Sequence, residues 1–164
     1  MLSYKDLTKY FGTTLFDKGF QSFLKETFND LSEYDVEIDY ITSKQTGLEL
    51  GFTNNDAVYD VEGNVVLERS NPLFSHFIIY PKSLKLISEL PFDINFTDRR
   101  FEIINKAGKP SQTNEGYSDF LNKNFLVDNY KTGETVITFD FDAQKQTINF
   151  IQVRDNNLVE HLKL

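Results

Sequence analysis

The chain has 164 residues, carries a net charge of −8 and contains no cysteine. A chain of this length suits one domain with a sizeable core, while the missing thiols exclude disulfides, thiolate metal sites and a cysteine nucleophile. The acidic balance disfavours nucleic acid as a ligand, and no apolar run comes close to the ~20 residues that a membrane span requires.

Aromatic residues are unusually prominent in the composition. Sixteen phenylalanines and eight tyrosines stand against no tryptophan, so we expect a core packed largely with phenylalanine. His76 and His161 are the two imidazoles of the sequence, which leaves little basis for zinc binding, and we expect no metal and no cofactor. Residues 1–7 lack the apolar segment of a signal peptide, so the sequence predicts a cytoplasmic protein unless a leader has been removed.

Two helices are predicted at the beginning of the chain. Ser3 and Asp6 have the spacing of a capping box, and the helix that they begin would run through Tyr10 and end at Gly12. A second helix would follow at once and bury one apolar stripe in the core. The stripe consists of Phe16, Phe20, Phe23, Leu24 and Phe28.

Strand patterns begin at Tyr34. Residues 36–41 and 48–53 alternate apolar and polar side chains, residues 57–61 and 65–67 flank a turn at Glu62-Gly63-Asn64, and residues 74–80 form an apolar run. His76 falls in that run and is expected to be structural, because no partner for a general base is evident. Residues 84–89 fit either a helical turn or a connecting strand.

A third helix is predicted from Thr97, its expected N-cap, to Gly108, with Phe101 and Ile104 on its apolar face. Residues 111–116 have the composition of a polar loop, and residues 117–124 fit either a helical turn or the entry to a strand. Residues 125–130, 135–141 and 147–153 then predict an antiparallel meander in which alternate side chains face the core. One core is expected to contain Phe20, Phe23, Phe101, Ile104, Ile137, Phe139 and Phe150.

These elements predict an α+β fold: one domain over residues 1–164, with an antiparallel sheet of roughly six to eight strands and helices packed on one face. The segments 16–23 and 97–104 share an Asp followed by apolar residues at intervals of three. Two tandem α-β units, residues 1–83 and 84–164, are therefore possible.

A family resemblance follows from the second half of the chain. The run from Leu90 to Phe101, then Gly108-Lys109-Pro110, a tyrosine-bearing loop and paired strands resembles the pattern of the SmpA/OmlA lipoproteins and the β-lactamase inhibitor protein. The resemblance implies a helical pair on one side of a curved antiparallel sheet and a role in binding other proteins. Asp93 stands where that pattern has glycine, and without a lipobox cysteine the lipid anchor does not carry over. No functional residue is transferred.

Strand alternation also predicts an acidic sheet face. If Leu48, Leu50, Ile137, Phe139 and Phe141 face the helices, the opposite face gathers Glu37, Asp39, Glu49, Thr138, Asp140 and Asp142. Such a face could steer a basic protein toward it, although solvated carboxylates are the ordinary explanation.

The leading functional hypothesis is therefore a soluble bacterial protein-binding module of the immunity type, which binds and neutralises a toxin with a basic domain. The five carboxylates Glu37, Asp39, Glu49, Asp140 and Asp142 are its candidate contact residues. The alternative is a small-ligand site between sheet and helices, as in cystatin-like α+β domains. An enzyme ranks third, because the sequence contains no phosphate loop, nucleophile elbow or metal-binding helix.

Overall fold

The computed structural model describes residues 1–28, 40–53, 58–59, 65–67, 72–159 and 162–164. The predicted strand at residues 36–39, the turn at Glu62-Gly63-Asn64 and the residues Glu37, Asp39 and His161 lie outside the described residues. The helices are α1 (Tyr4–Thr8), α2 (Lys18–Thr27) and α3 (Arg100–Ala107), with 3₁₀ helices at Pro81–Lys85 and Pro91–Asp93. The strands are β1 (Leu2–Ser3), β2 (Tyr40–Thr42), β3 (Glu49–Thr53), β4 (Val58–Tyr59), β5 (Val65–Leu67), β6 (Leu73–Ile79), β7 (Ile87–Glu89), β8 (Gln112–Ser118), β9 (Lys123–Thr132), β10 (Thr135–Phe141) and β11 (Ile148–Asp155).

The main sheet has seven strands in the order β2-β3-β6-β11-β10-β9-β8, and every neighbouring pair is antiparallel. This sheet and its helices confirm the predicted α+β fold. The hairpin predicted for residues 57–67 is present as the β4–β5 pair, and β1 pairs with β7 in parallel.

Strands from the two halves of the chain lie on opposite sides of the sheet. β2, β3 and β6 come from residues 1–83, the strands β8 to β11 come from residues 84–164, and the two groups meet where β6 pairs with β11. This arrangement is compatible with two tandem units, and the repeat itself stays a prediction.

The helices pack on one face of the sheet around a core rich in phenylalanine. Phe20 of α2 stacks on Phe74 of β6 at a centroid distance of 5.1 Å, and Ile103 of α3 is fully buried. Ile137 and Phe139 of β10 belong to the same core. We call this side the covered face and the other side the open face.

Helix starts follow local hydrogen bonds. The Ser3–Asp6 capping box is present, with the Ser3 amide donating to Asp6 Oδ2 at 3.0 Å. Thr97, by contrast, does not cap α3. Asp98 instead accepts from the Asn95 amide at 2.8 Å, and the helix begins at Arg100, where the Arg99 amide donates to Glu102 Oε2 at 2.8 Å.

Several residues that the sequence assigns to the core are placed differently in the structure. Ile103 faces the sheet, Ile104 is half-buried and Phe101 is 58% exposed, so the predicted Phe101–Ile104 face is wrong. Phe16 is also exposed because it precedes α2, whose N-cap is Asp17. Phe150 is half-buried on the open face, while Phe23 packs against the core from its margin.

The structure shows which elements form in the segments between the longer helices and strands. Residues 84–89 contain both the end of a 3₁₀ helix and β7. The predicted polar loop at 111–116 is wrong, because β8 covers most of it. The register of β3 against β6 shifts between Gly51 and Phe52, so Ser75 has no cross-strand partner on β3. As a result, Phe74 lies in the core, whereas His76 and Ile78 lie on the other face of the sheet.

Candidate functional site

The open face consists of rows of side chains that run across the strands. One row contains Gly51, His76, Arg154, Val136 and Lys131. The next contains Glu49, Ile78, Gln152, Thr138, Asn129 and Gln112, and a third contains Phe150, Asp140, Val127 and Asn114. The face is thus mixed in charge and carries two basic side chains that the sequence analysis did not place there.

Glu49 and Asp140 lie on the open face as predicted, but they are not neighbours. Three strand intervals separate β3 from β10 in the sheet order, which corresponds to about 14 Å. Glu49 Oε2 accepts from the Tyr80 hydroxyl at 3.3 Å, and Asp140 Oδ1 accepts from Asn149 Nδ2 at 2.7 Å. Burial, followed by the nearby Glu49 charge, raises the pKa of Tyr80.

Asp142 lies beyond the end of β10 and shapes the turn to β11. Its Oδ1 accepts from the backbone amides of Lys145 at 2.8 Å and Gln144 at 3.0 Å. The Lys145 amide is the main cause of the lowered pKa of Asp142. Asp142 therefore does not continue the Asp140 row, and its structural role is evident.

The largest groove described on the open face lies beside the β8–β9 hairpin. It has a volume of about 650 Å³ and is lined by aromatic rings, amides and the two carboxylates Asp140 and Asp142. Phe125 lies across Gly116, where an added Cβ would be 3.1 Å from the ring, so glycine makes room for the ring. Phe150 contributes the opposite wall and contacts the Tyr80 ring at 5.8 Å. We call this site the hairpin groove.

The tip of the β8–β9 hairpin is apolar and strongly exposed. Phe120 is 94% exposed, and Leu121 and Tyr117 are more than half exposed. The Tyr117 hydroxyl donates to Asn122 Oδ1, which holds the tip in a defined turn. Leu121 and Tyr117 also line the hairpin groove, so the tip and the groove form one continuous surface.

A second groove crosses the open face between the strands and residues 162–164. Its volume is about 370 Å³, and its lining includes Gln112, Asn114, Asn129, Gln152 and Arg154. We call it the arginine groove. Arg154 is buried, with 4% of its surface exposed.

His76 is held in place from both sides. Its Nδ1 lies 2.9 Å from Ser75 Oγ, and its Nε2 lies 3.0 Å from the Tyr40 hydroxyl. An added Cβ on Gly51 would lie 2.1 Å from the ring, so glycine at this position permits the close approach. These contacts give His76 a structural role, in agreement with the sequence-based expectation.

The covered face contains one buried ion pair. Arg100 Nε donates to Asp128 Oδ2 at 2.6 Å, and Thr113 Oγ1 donates to Asp128 Oδ1 at 2.6 Å. Beside the pair, burial and the Asp128 charge raise the pKa of Tyr130 to about 12. The pair joins α3 to β9, so it serves the fold.

Metal-binding clusters and membrane-spanning helices are both absent from the described ranges. These residues contain no group of three or more His, Cys, Asp or Glu side chains that could hold a metal ion. None of the helices among them is long and apolar enough to cross a membrane.

The sequence analysis missed the aromatic and basic parts of the open face. The same alternation that predicted Asp140 also places Phe125, Phe150 and Arg154 on this face. The sequence predicts Phe150 in the core, whereas the register of β10 and β11 places it opposite Asp140 on the open face. The β8 strand carried no recognisable signal, because Gln112–Ser118 has the polar composition of a loop.

Comparison with known proteins gives no family assignment. No protein-family model and no curated protein matches the chain. A DUF4309 family protein (YjgB) from Bacillus subtilis is 13% identical with a TM-score of 0.44, over 93% of this chain and 92% of that chain. A cysteine-rich secretory protein from Staphylococcus aureus is 9% identical with a TM-score of 0.43, over 92% of this chain and 45% of that chain. At such TM-scores neither likeness supports a conclusion about function.

Proposed function

We propose that the chain is a protein-binding module whose partner docks on the hairpin tip and the hairpin groove. The observation that carries this proposal is the exposure of Phe120, at 94%, next to a groove lined by further aromatic rings. Large apolar side chains that are exposed beside a groove are typical of an interaction surface. Aromatic side chains also supply most of the energy in many protein interfaces.

The charges around the groove favour a basic partner. Asp140 and Asp142 line it, Lys123 is its basic side chain, and the chain as a whole carries a charge of −8. Complementary charge at the rim of an interface accelerates association with a cationic surface. The partner that the sequence favours is a toxin with a basic domain, which this chain would neutralise.

The free edge of β8 adds a second mode of contact. β8 is the last strand of the described sheet and pairs with β9 on one side. Its residues contain no Lys, Arg or Pro, which are the residues that commonly protect an edge from pairing. An extended segment of the partner could therefore add to the sheet here while its side chains reach the hairpin tip.

The test measures the affinity of the purified chain for basic proteins encoded by neighbouring genes. Phe120→Ser should weaken binding by about tenfold or more, as expected for an aromatic anchor. Phe101→Ser is the matched control, because Phe101 is also exposed but lies on α3 on the other side of the sheet. Equal losses for both variants, or binding unaffected by Phe120→Ser, would contradict the proposed docking surface.

A further inference from the structure

Arg154 has fewer hydrogen-bond partners than a buried guanidinium requires. Of its five N–H donors, one on Nη1 donates to Thr138 Oγ1 at 2.8 Å and one on Nη2 donates to the Leu162 oxygen at 2.8 Å. Both acceptors are neutral. Nε is buried and has no partner among the described residues.

No carboxylate of the described residues forms an ion pair with Arg154. A buried cation without a counter-charge is costly, because it loses hydration that the protein does not replace. Burial accordingly lowers the pKa of Arg154, yet an arginine in a protein keeps its charge. The site thus holds a positive charge with unused donors.

The surroundings of Arg154 are mostly polar, and the exposed Lys163 adds a second positive charge to the lining of the groove. Thr138, which accepts from the guanidinium, lies opposite Gln152 on β11 and Asn129 on β9. Gln112 and Asn114 complete the amide lining, and residues 162–164 form a wall. The Leu164 oxygen is held by Lys131 at 2.6 Å and Asn156 at 3.1 Å. A volume of about 370 Å³ lies within the range of small-molecule sites.

We propose that the arginine groove binds the carboxylate of a small polar molecule. The planar guanidinium of Arg154 matches a carboxylate in shape and charge. The amides of Asn114, Asn129 and Gln152 can donate to and accept from the neutral polar groups of the same molecule.

Two sources share this chemistry, namely amino-acid derivatives and sugar acids. The probes are therefore two matched pairs: N-acetylalanine with its amide, and glucuronate with glucose. Calorimetry and the NMR signal of the Arg154 Nε–H should show binding of at least one acid, and its neutral partner should bind at least about tenfold more weakly. Which acid binds identifies the source.

Gln152→Glu tests the location without removing Arg154. Because residue 152 lies beside Thr138 on the same row, its carboxylate would pair with the guanidinium in place of the ligand. Binding of the acid should be lost, and the thermal midpoint of the free protein should rise. Gln144→Glu is the control, because it makes the same change of charge in the β10–β11 turn and should leave binding unchanged.

Three results would overturn the proposal. These are an absence of binding by both acids at concentrations up to about 10 mM, equal binding of an acid and its neutral partner, and acid binding that survives Gln152→Glu. Phe120→Ser should leave acid binding intact, since Phe120 is not among the residues that line the arginine groove. Failure of this proposal and failure of the protein-binding proposal are therefore distinguishable.

Discussion

The same strands present different kinds of side chain on the two faces of the sheet. On the covered face, the side chains of β10 are apolar and belong to the core, and the Phe139 ring lies 6.3 Å from the Phe92 ring. On the open face the same strand presents Val136, Thr138 and Asp140. The covered face is closely packed and stabilises the fold, whereas the open face carries the hairpin groove and the arginine groove.

Arg100 and Arg154 show how the two faces differ in the pairing of buried charge. Arg100, on the covered side, forms a bidentate pair with Asp128 at 2.6 and 3.0 Å. Arg154, on the open side, has neutral partners. Arg100 thereby joins α3 to β9, whereas the carboxylate that we propose for the arginine groove would give Arg154 a counter-charge that the described residues do not supply.

The largest expected effect is a core truncation on the covered face. Phe139 is fully buried and contacts Tyr130 and Phe141 rings at 5.6 and 6.2 Å. Phe139→Ala should lower the free energy of unfolding by about 3 to 5 kcal/mol. Phe150→Ala, on the open face, should cost clearly less. Chemical denaturation of both variants is the measurement, and equal losses would contradict the distinction between the faces.

The ion pair on the covered face gives the next effect. Asp128 is fully buried, while the Arg100 side chain is 24% exposed. Asp128→Asn should therefore cost about 2 to 3 kcal/mol, somewhat less than a fully buried pair. Lys9→Met, which removes the exposed Lys9–Asp6 pair, should leave the unfolding free energy nearly unchanged. Equally small losses of unfolding free energy for the two variants would show that the Arg100–Asp128 pair does not stabilise the packing of α3.

Tyr130 predicts a pH dependence that belongs to the covered face. Its pKa is about 12 in the folded protein and about 10 in the unfolded chain. Between these values the unfolded chain loses the proton first, so stability falls as the pH rises above about 10, by about 1 kcal/mol at pH 11. The Tyr130 hydroxyl has no partner among the described residues.

Tyr130→Phe should remove this alkaline loss and add about 1 kcal/mol at neutral pH, because an unpaired buried hydroxyl disappears. The measurement is the difference in unfolding free energy between the variant and the native sequence at pH 7 and pH 11. A difference that does not grow with pH would show that Tyr130 ionises freely in the folded state.

The smallest effect on stability, and the sharpest on binding, concerns the open face. Asp140→Lys should slow association with a basic partner and reduce its dependence on salt, because Asp140 lines the hairpin groove. Glu49→Lys makes the same reversal three strands away and should change the rate less. Association kinetics at two ionic strengths test this, and equal effects would indicate general charge attraction rather than docking at the groove.

Periodicity predicted the fold well wherever it was long. The meander of β9, β10 and β11 was predicted from alternation, because one buried face forces apolar residues into every second position. The sequence predicts a start of α3 that is too early, because Thr97 is an acceptable cap by residue type, whereas in the structure Arg99 is the N-cap and Asp98 accepts from the Asn95 amide. Ile103 rather than Ile104 is the fully buried residue of the helix.

Patterns within single elements were sufficient to predict the α+β class, the strands of the meander and the face on which Glu49 and Asp140 lie. The tertiary structure decided which strands are neighbours, and therefore that Glu49 and Asp140 are far apart while Arg154, Thr138 and Gln152 lie together. The physical reason is that a site across strands depends on their order and register. Hydrogen bonds between segments that are distant in the sequence set the order and the register of the strands. The alternation of residues along one strand does not show which strand lies beside it.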